Sequence, residues 1–128
     1  MNDRTLLELA ARAAGIPDAL YLDCVAQDMY HPRDGEAGIE VNHRDTRWSC
    51  LAIDGVWNPL TDDGDALRLA VKLGLILETD LDDSSCSATD VSYDNYTVEE
   101  HGDCPNAAVR LVIVKCAAEI GKSMGGGE

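Results

Sequence analysis

Apolar residues recur at helical spacing in three places along the chain. Leu6, Leu9, Ala10 and Ala13 form one stripe, widened by Leu7 and Ala14, and predict a helix over residues 3 to 14. Gly15 ends it and Pro17 blocks its continuation. Ala66, Leu69, Ala70 and Leu73 predict a second helix with one apolar face. Asn58-Pro59 leads into it extended, because the proline ring excludes the helical region for the residue before it. Thr61 is placed as the N-cap, with Asp62 and Asp63 in the first turn and Gly74 as the left-handed stop. Gly102-Asp103-Cys104-Pro105 opens a third helix, capped by Asp103 or Cys104, that runs to about Gly121 or Ser123.

The intervening segments read as strands and turns. Ile39 to Asn42 and Thr46 to Ile53 are strand-like, and Asp54-Gly55 is a hairpin turn from which Val56-Trp57 returns. Residues 19 to 30 fit both periods, with strand preferred, and residues 31 to 35 read as a loop. Leu75 to Thr79 reads as a strand and the acidic, serine-rich Asp80 to Ser87 as a loop. Thr89 to Tyr93 reads as a strand, Asp94-Asn95 as a turn, and Tyr96 to Glu99 as a further strand. The order predicts an α+β fold: an antiparallel sheet with three helices, the second and third packed together on one face. One domain covers residues 1–124, with 125–128 as a flexible tail.

Composition narrows the functional classes. The 128 residues suit one core, and with no phenylalanine that core must be built from Leu, Ile, Val and Ala. Twenty-four acids against ten bases give a net charge of −14, which excludes general binding to nucleic acid or to an anionic membrane. The same charge suits a basic protein partner. Asp80, Asp82, Asp83, Asp90, Asp94, Glu99 and Glu100 are the residues expected to meet it. No basic n-region precedes an apolar run, and no stretch has the ~18 apolar residues of a membrane span. The expected compartment is the cytoplasm, with five cysteines as reduced thiols.

Candidate chemistry is sparse. Arg110 falls among apolar neighbours of the third helix and must snorkel, pair with a carboxylate or bind an anion; Asp62 or Asp65 is the expected ion-pair partner. Asp62-Asp63-Gly64-Asp65 lacks the ligand alternation of a calcium loop. Cys24, His31, His43 and Cys50 match no zinc spacing, and His101 with Cys104 supplies only two ligands. No nucleophile, base and orienting group stand out together, so no catalytic residue, metal or cofactor is nominated. A flat-ring and cation set suggests a second reading, a nucleotide binder. In it Arg110 or Arg47 would clamp phosphate and Trp48 or Trp57 would stack on a base, with Asn58, Asp62 and Asp65 nearby.

The run from Trp57 to Ala70, WNPLTDDGDALRLA, resembles the signature of small phage and prophage proteins of the NinX-like type. The opening from Leu6 to Gly15 is similar to theirs. So is the tail, with Gly102-Asp103, Pro105, Ala107 to Arg110 and Ala117 to Gly121. The segment 17–50 departs from that pattern and reads as an insertion. The resemblance implies phage origin, expression in a bacterial cytoplasm and an accessory role, and it brings no catalytic residue with it. Together with the charge, it leads to a non-enzymatic accessory protein that counters a host defence system by binding a basic host protein. The alternative is sequestration of a nucleotide immune signal. A homodimer is compatible with either.

Overall fold

The computed structural model describes residues 2–16, 21–22, 36–40 and 56–125. Helix α1 (Asp3–Ala13) begins where the Asn2 side chain accepts the Thr5 N–H at 2.9 Å. It buries Leu6, Leu7, Leu9, Ala10 and Ala11. Three short strands follow: β1 (Tyr21–Leu22), β2 (Gly38–Glu40) and β3 (Val56–Trp57). They pair antiparallel in the order β1-β2-β3, with Ile39 opposite both Tyr21 and Trp57. The expected strand Thr46 to Ile53, the Asp54-Gly55 turn and most of the segment 17–50 lie outside the described residues.

Helix α2 (Asp63–Leu73) is capped by Asp62, whose carboxylate accepts the Asp65 N–H at 2.8 Å. Thr61 was the expected cap. It instead sits in a turn in which the Asn58 carbonyl accepts both the Thr61 and Asp62 N–H groups, so the helix starts one residue later. Gly74 closes α2 at φ 65°, where a side chain would be strained.

A second antiparallel sheet, order β4-β5-β6, contains β4 (Ile76–Asp80), β5 (Ser85–Thr89) and β6 (Tyr96–Glu100). This corrects two expectations. Residues 85–87 are strand rather than loop, and residues 90–93 are turn rather than strand. Helix α3 (Pro105–Gly125) then runs past Gly121, which lies inside it rather than at its end.

The α+β class and the contact between α2 and α3 are as the sequence predicts, with the strands divided between two sheets. Helix α3 is the common wall of the core. One side meets Leu6, Leu9, Ala10, Trp57 and Leu69 through Ile113, Val114 and Ala117. The other meets Cys86 and Ala88 of β5 through Ala108, Val112 and Cys116. Side chains alternate along a strand, so Thr97 and Glu99 of β6 also face α3: Thr97 Oγ1 donates to the Val112 carbonyl at 2.9 Å. The opposite face carries Ile76, Glu78 and Asp80 of β4, Ser85, Ser87 and Thr89 of β5, and Tyr96, Val98 and Glu100 of β6. Among the described residues, no helix is long and apolar enough to cross a membrane.

Candidate functional site

The entry to α2 gathers most of the polar chemistry nominated from sequence. Asp65 is fully buried. Its Oδ2 accepts the Asn58 N–H at 2.9 Å and its Oδ1 accepts Arg68 Nη2 at 2.6 Å. Asn58 is itself buried. Its side-chain amide donates to the Ala37 carbonyl at 3.1 Å and its side-chain oxygen accepts the Leu60 N–H at 3.1 Å. These groups tie β2, β3 and α2 together, and their hydrogen-bonding capacity is turned inward.

Arg110 reaches the same region from α3. Its Nε donates to the Leu60 carbonyl at 2.9 Å and its Nη1 pairs with Asp63 at 2.5 Å. The partner is therefore Asp63, not Asp62 or Asp65. The physical reason is occupancy: Asp62 caps the helix and Asp65 holds Arg68. The Arg110 side chain is 18% exposed and Asp63 65% exposed, so the pair closes one end of a solvent-open cleft. The cleft, of about 210 Å³, is lined by Ala66 and Leu67 of α2, Leu77 of β4, and Asn106, Val109 and Ile113 of α3.

The described members of the nucleotide-binding set do not converge on this cleft. Trp57 has no exposed surface and packs in the core between the helices and β2. Asp65 and Asn58 are buried in the network above, and Asp62 is the helix cap. Arg47 and Trp48 lie outside the described residues. Of the described members of the set, Arg110 alone borders the cleft.

The acidic set divides by cross-strand register. Asp80 pairs with Ser85 and Ser85 with Glu100, while the His101 N–H donates to the Ser84 carbonyl at 2.7 Å. Asp80, Asp82, Asp83 and Glu100 therefore crowd one end of the second sheet. Asp103 and Glu78, which are not in the expected acidic surface, belong beside them: Asp103 lies two residues after His101, and Glu78 lies two residues before Asp80 on the same face of β4. Neither 80–85 nor 100–104 contains lysine or arginine. Asp80 also accepts the Asp82 and Asp83 N–H groups at 2.9 and 3.1 Å, which shapes the hairpin tip. Asp90 and Asp94 lie at the other end, beyond Thr89, about 15 Å away at the usual rise per strand residue. Glu99 points to α3 and pairs with Lys115 at 2.5 Å, so its charge is locally cancelled.

Asp90 is a correction to the expected surface. It is buried and organises the turn between β5 and β6. Its carboxylate accepts Asn95 Nδ2 at 2.7 Å, Ser92 Oγ at 3.0 Å, and the Asp94 and Asn95 N–H groups at 3.0 and 3.3 Å. The Asn95 side-chain bond, chiefly, holds its pKa below the ordinary 3.8 against the opposing effect of burial. A depressed carboxylate stabilises the fold above its unfolded value, and that contribution is lost as pH falls through the folded one. Asp90→Asn is expected to lower the thermal midpoint at pH 7. The gap to wild type should close as melts are repeated below pH 3.8. A gap independent of pH would mean the charge contributes nothing.

No family model matches the chain, and no curated protein and no solved structure shows significant similarity to it.

The buried thiols are poor nucleophiles. Burial, assisted by the charges of Asp90 and Glu119, pushes Cys116 up to about 11, and burial also raises Cys86, beside Glu99. Both stay protonated near neutral pH. Cys104 is exposed. Among the described residues, no group of three or more His, Cys, Asp or Glu is placed to hold a metal ion. The four residues weighed as zinc ligands lie outside them.

Proposed function

We propose that the chain is a non-enzymatic accessory protein of phage type. It acts in the bacterial cytoplasm, where it binds a basic host protein, a component of a defence system, through the acidic end of its second sheet. The observation that carries this reading is the crowding of Asp80, Asp82, Asp83, Glu100 and Asp103 into one corner without a lysine or arginine in either segment. Like charges held together cost stability unless something offsets them, and an oppositely charged surface does so on binding. Attraction of this kind speeds encounter and fades as salt shortens the Debye length to about 10 Å at 0.1 M.

Affinity capture from host lysate at low salt tests the reading. Wild-type protein should retain a basic host protein, and the triple variant Asp82→Lys, Asp83→Lys, Glu100→Lys should retain at least ~10-fold less, about 1.4 kcal/mol. Asp80 is left intact because it holds the hairpin tip. Asp94→Lys, at the opposite end of the sheet, should leave capture unchanged. Empty captures at low salt, or equal loss with Asp94→Lys, would sink the idea.

A further inference from the structure

Strand β4 is an open edge. Among the described residues it pairs with β5 on one side only; all five of its residues are exposed, and no described strand lies along its other side. An uncovered edge presents a row of unpaired backbone donors and acceptors, to which another strand can add.

What lies around that edge limits what could add there. Leu77 and Thr79 pair with Ala88 and Cys86, and those two pack on α3, so Leu77 and Thr79 share the α3 side. On that side the cleft between α2 and α3 opens next to β4, with Leu67 (59% exposed), Leu77, Val109 and Ile113 in its walls. The opposite side of the strand carries Ile76, Glu78 and Asp80. The nine positions on that face of the three-stranded sheet hold three carboxylates (Glu78, Asp80 and Glu100) and no lysine or arginine. A strand laid along β4 would therefore meet an apolar cleft with every second side chain and carboxylates with the others.

A second copy of the chain fits this edge poorly. Two-fold antiparallel pairing centred on Glu78 would set Glu78 against itself and add one net charge of −14 to another. A segment alternating apolar and basic residues meets both sides.

We propose that β4 accepts an extended segment of the partner protein, apolar residues facing the α2–α3 cleft and lysine or arginine facing Glu78 and Asp80. This rests on the protein-binding reading above and specifies how the partner engages. The carboxylates then have two effects: they oppose self-pairing of the edge and they select a basic strand.

The probe is an acetylated, amidated heptapeptide of alternating lysine and valine, titrated into the wild-type protein by fluorescence anisotropy. Two further peptides are N-methylated at the odd or at the even amides. In strand addition only alternate amides of the added strand donate to the edge. One methylated peptide should therefore bind at least ~10-fold more weakly and the other close to the parent, tenfold being about 1.4 kcal/mol. Leu67→Lys and Glu78→Lys should each weaken the parent peptide at least tenfold. Glu119→Lys, the same charge change at an exposed site on α3, should have little effect.

No binding of the parent peptide overturns the proposal. So does equal binding of all three peptides, or a Glu119→Lys loss matching that of Glu78→Lys, since either would mean diffuse attraction only. A dimer of the protein alone that Leu67→Lys dissolves would assign the edge to a second copy and likewise overturn it. The peptide titrations need no host protein, so they separate the two readings. Capture of a host protein that the peptide does not displace leaves the acidic-corner reading standing without strand addition. Patterned peptide binding with empty captures does the reverse.

Discussion

Gly121→Ala is expected to lower the thermal midpoint by ~8 °C or more, or to prevent folding. A β-carbon at Gly121 would sit 1.9 Å from the Leu9 carbonyl oxygen, 2.8 Å from the Leu9 carbonyl carbon and 3.3 Å from the Ala13 nitrogen. All three are backbone atoms of α1, so no side chain can rotate aside; the helices themselves must separate. Glycine to alanine inside a helix normally gains about 1 kcal/mol from propensity. Here that gain is outweighed, because overpacking costs ~3 kcal/mol or more when the obstacle is backbone. At roughly 4 °C per kcal/mol for a chain of this size, the net effect is large against a total stability of ~5–15 kcal/mol. Gly64→Ala is the internal control. Its added carbon would meet only side-chain ends, of Arg68 and Asp62, at 3.1 to 3.3 Å, which need give by only a few tenths of an ångström, so its melt should move far less. Equal behaviour of the two variants in calorimetry would refute the close crossing of α1 and α3.

Asp65→Ala should destabilise the fold by about 3 kcal/mol in urea denaturation. The substitution removes both carboxylate bonds at once and leaves the buried Asn58 N–H without its acceptor. Breaking a buried ion pair from one side costs ~3–5 kcal/mol. The Arg68 side chain is 26% exposed and can recover some hydration, which places the effect at the lower end. Asp62→Ala removes the cap bond to the Asp65 N–H, and loss of a cap costs about 1 kcal/mol. The ranking is the test: the buried carboxylate must outweigh the cap by a clear margin.

What could be read in the sequence follows the size and period of the side chains. The leucine stripes of α1 and α2 declare their helices because large apolar groups repeat at 3.6 residues. Strand β5 does not declare itself. Its inward residues, Cys86 and Ala88, are small where α3 lies against the strand, and the serines beside them, Ser85 and Ser87, look like a loop. The α2 cap was misplaced by one residue because Thr61, Asp62 and Asp63 can all cap. The choice is made by Asn58, whose carbonyl turns Thr61 out of the role. Arg110 was legible as a charge that needs a partner, but which aspartate is left to serve it depends on the commitments of the other two. Glycine in a helix-ending context hides a tight crossing, since the same residue type serves both purposes. Of the candidate surface, carboxylate identity was readable, whereas the register that gathers five acids at one corner and turns Asp90 inward was not.

The crossing of α1 over α3 also sets the order in which the molecule can form. Arg12 donates to the Gly121 carbonyl at 3.5 Å across 109 residues of sequence, and α1 packs most extensively on α3. An emerging chain therefore presents the apolar face of α1 long before its covering helix has been synthesised. Contacts this distant in sequence raise contact order and slow folding, and they leave the first helix open to chaperones or to misassembly while it waits. The hairpins of the second sheet, by contrast, are local and can pair as soon as Glu100 has left the ribosome, ready as a template when α3 arrives.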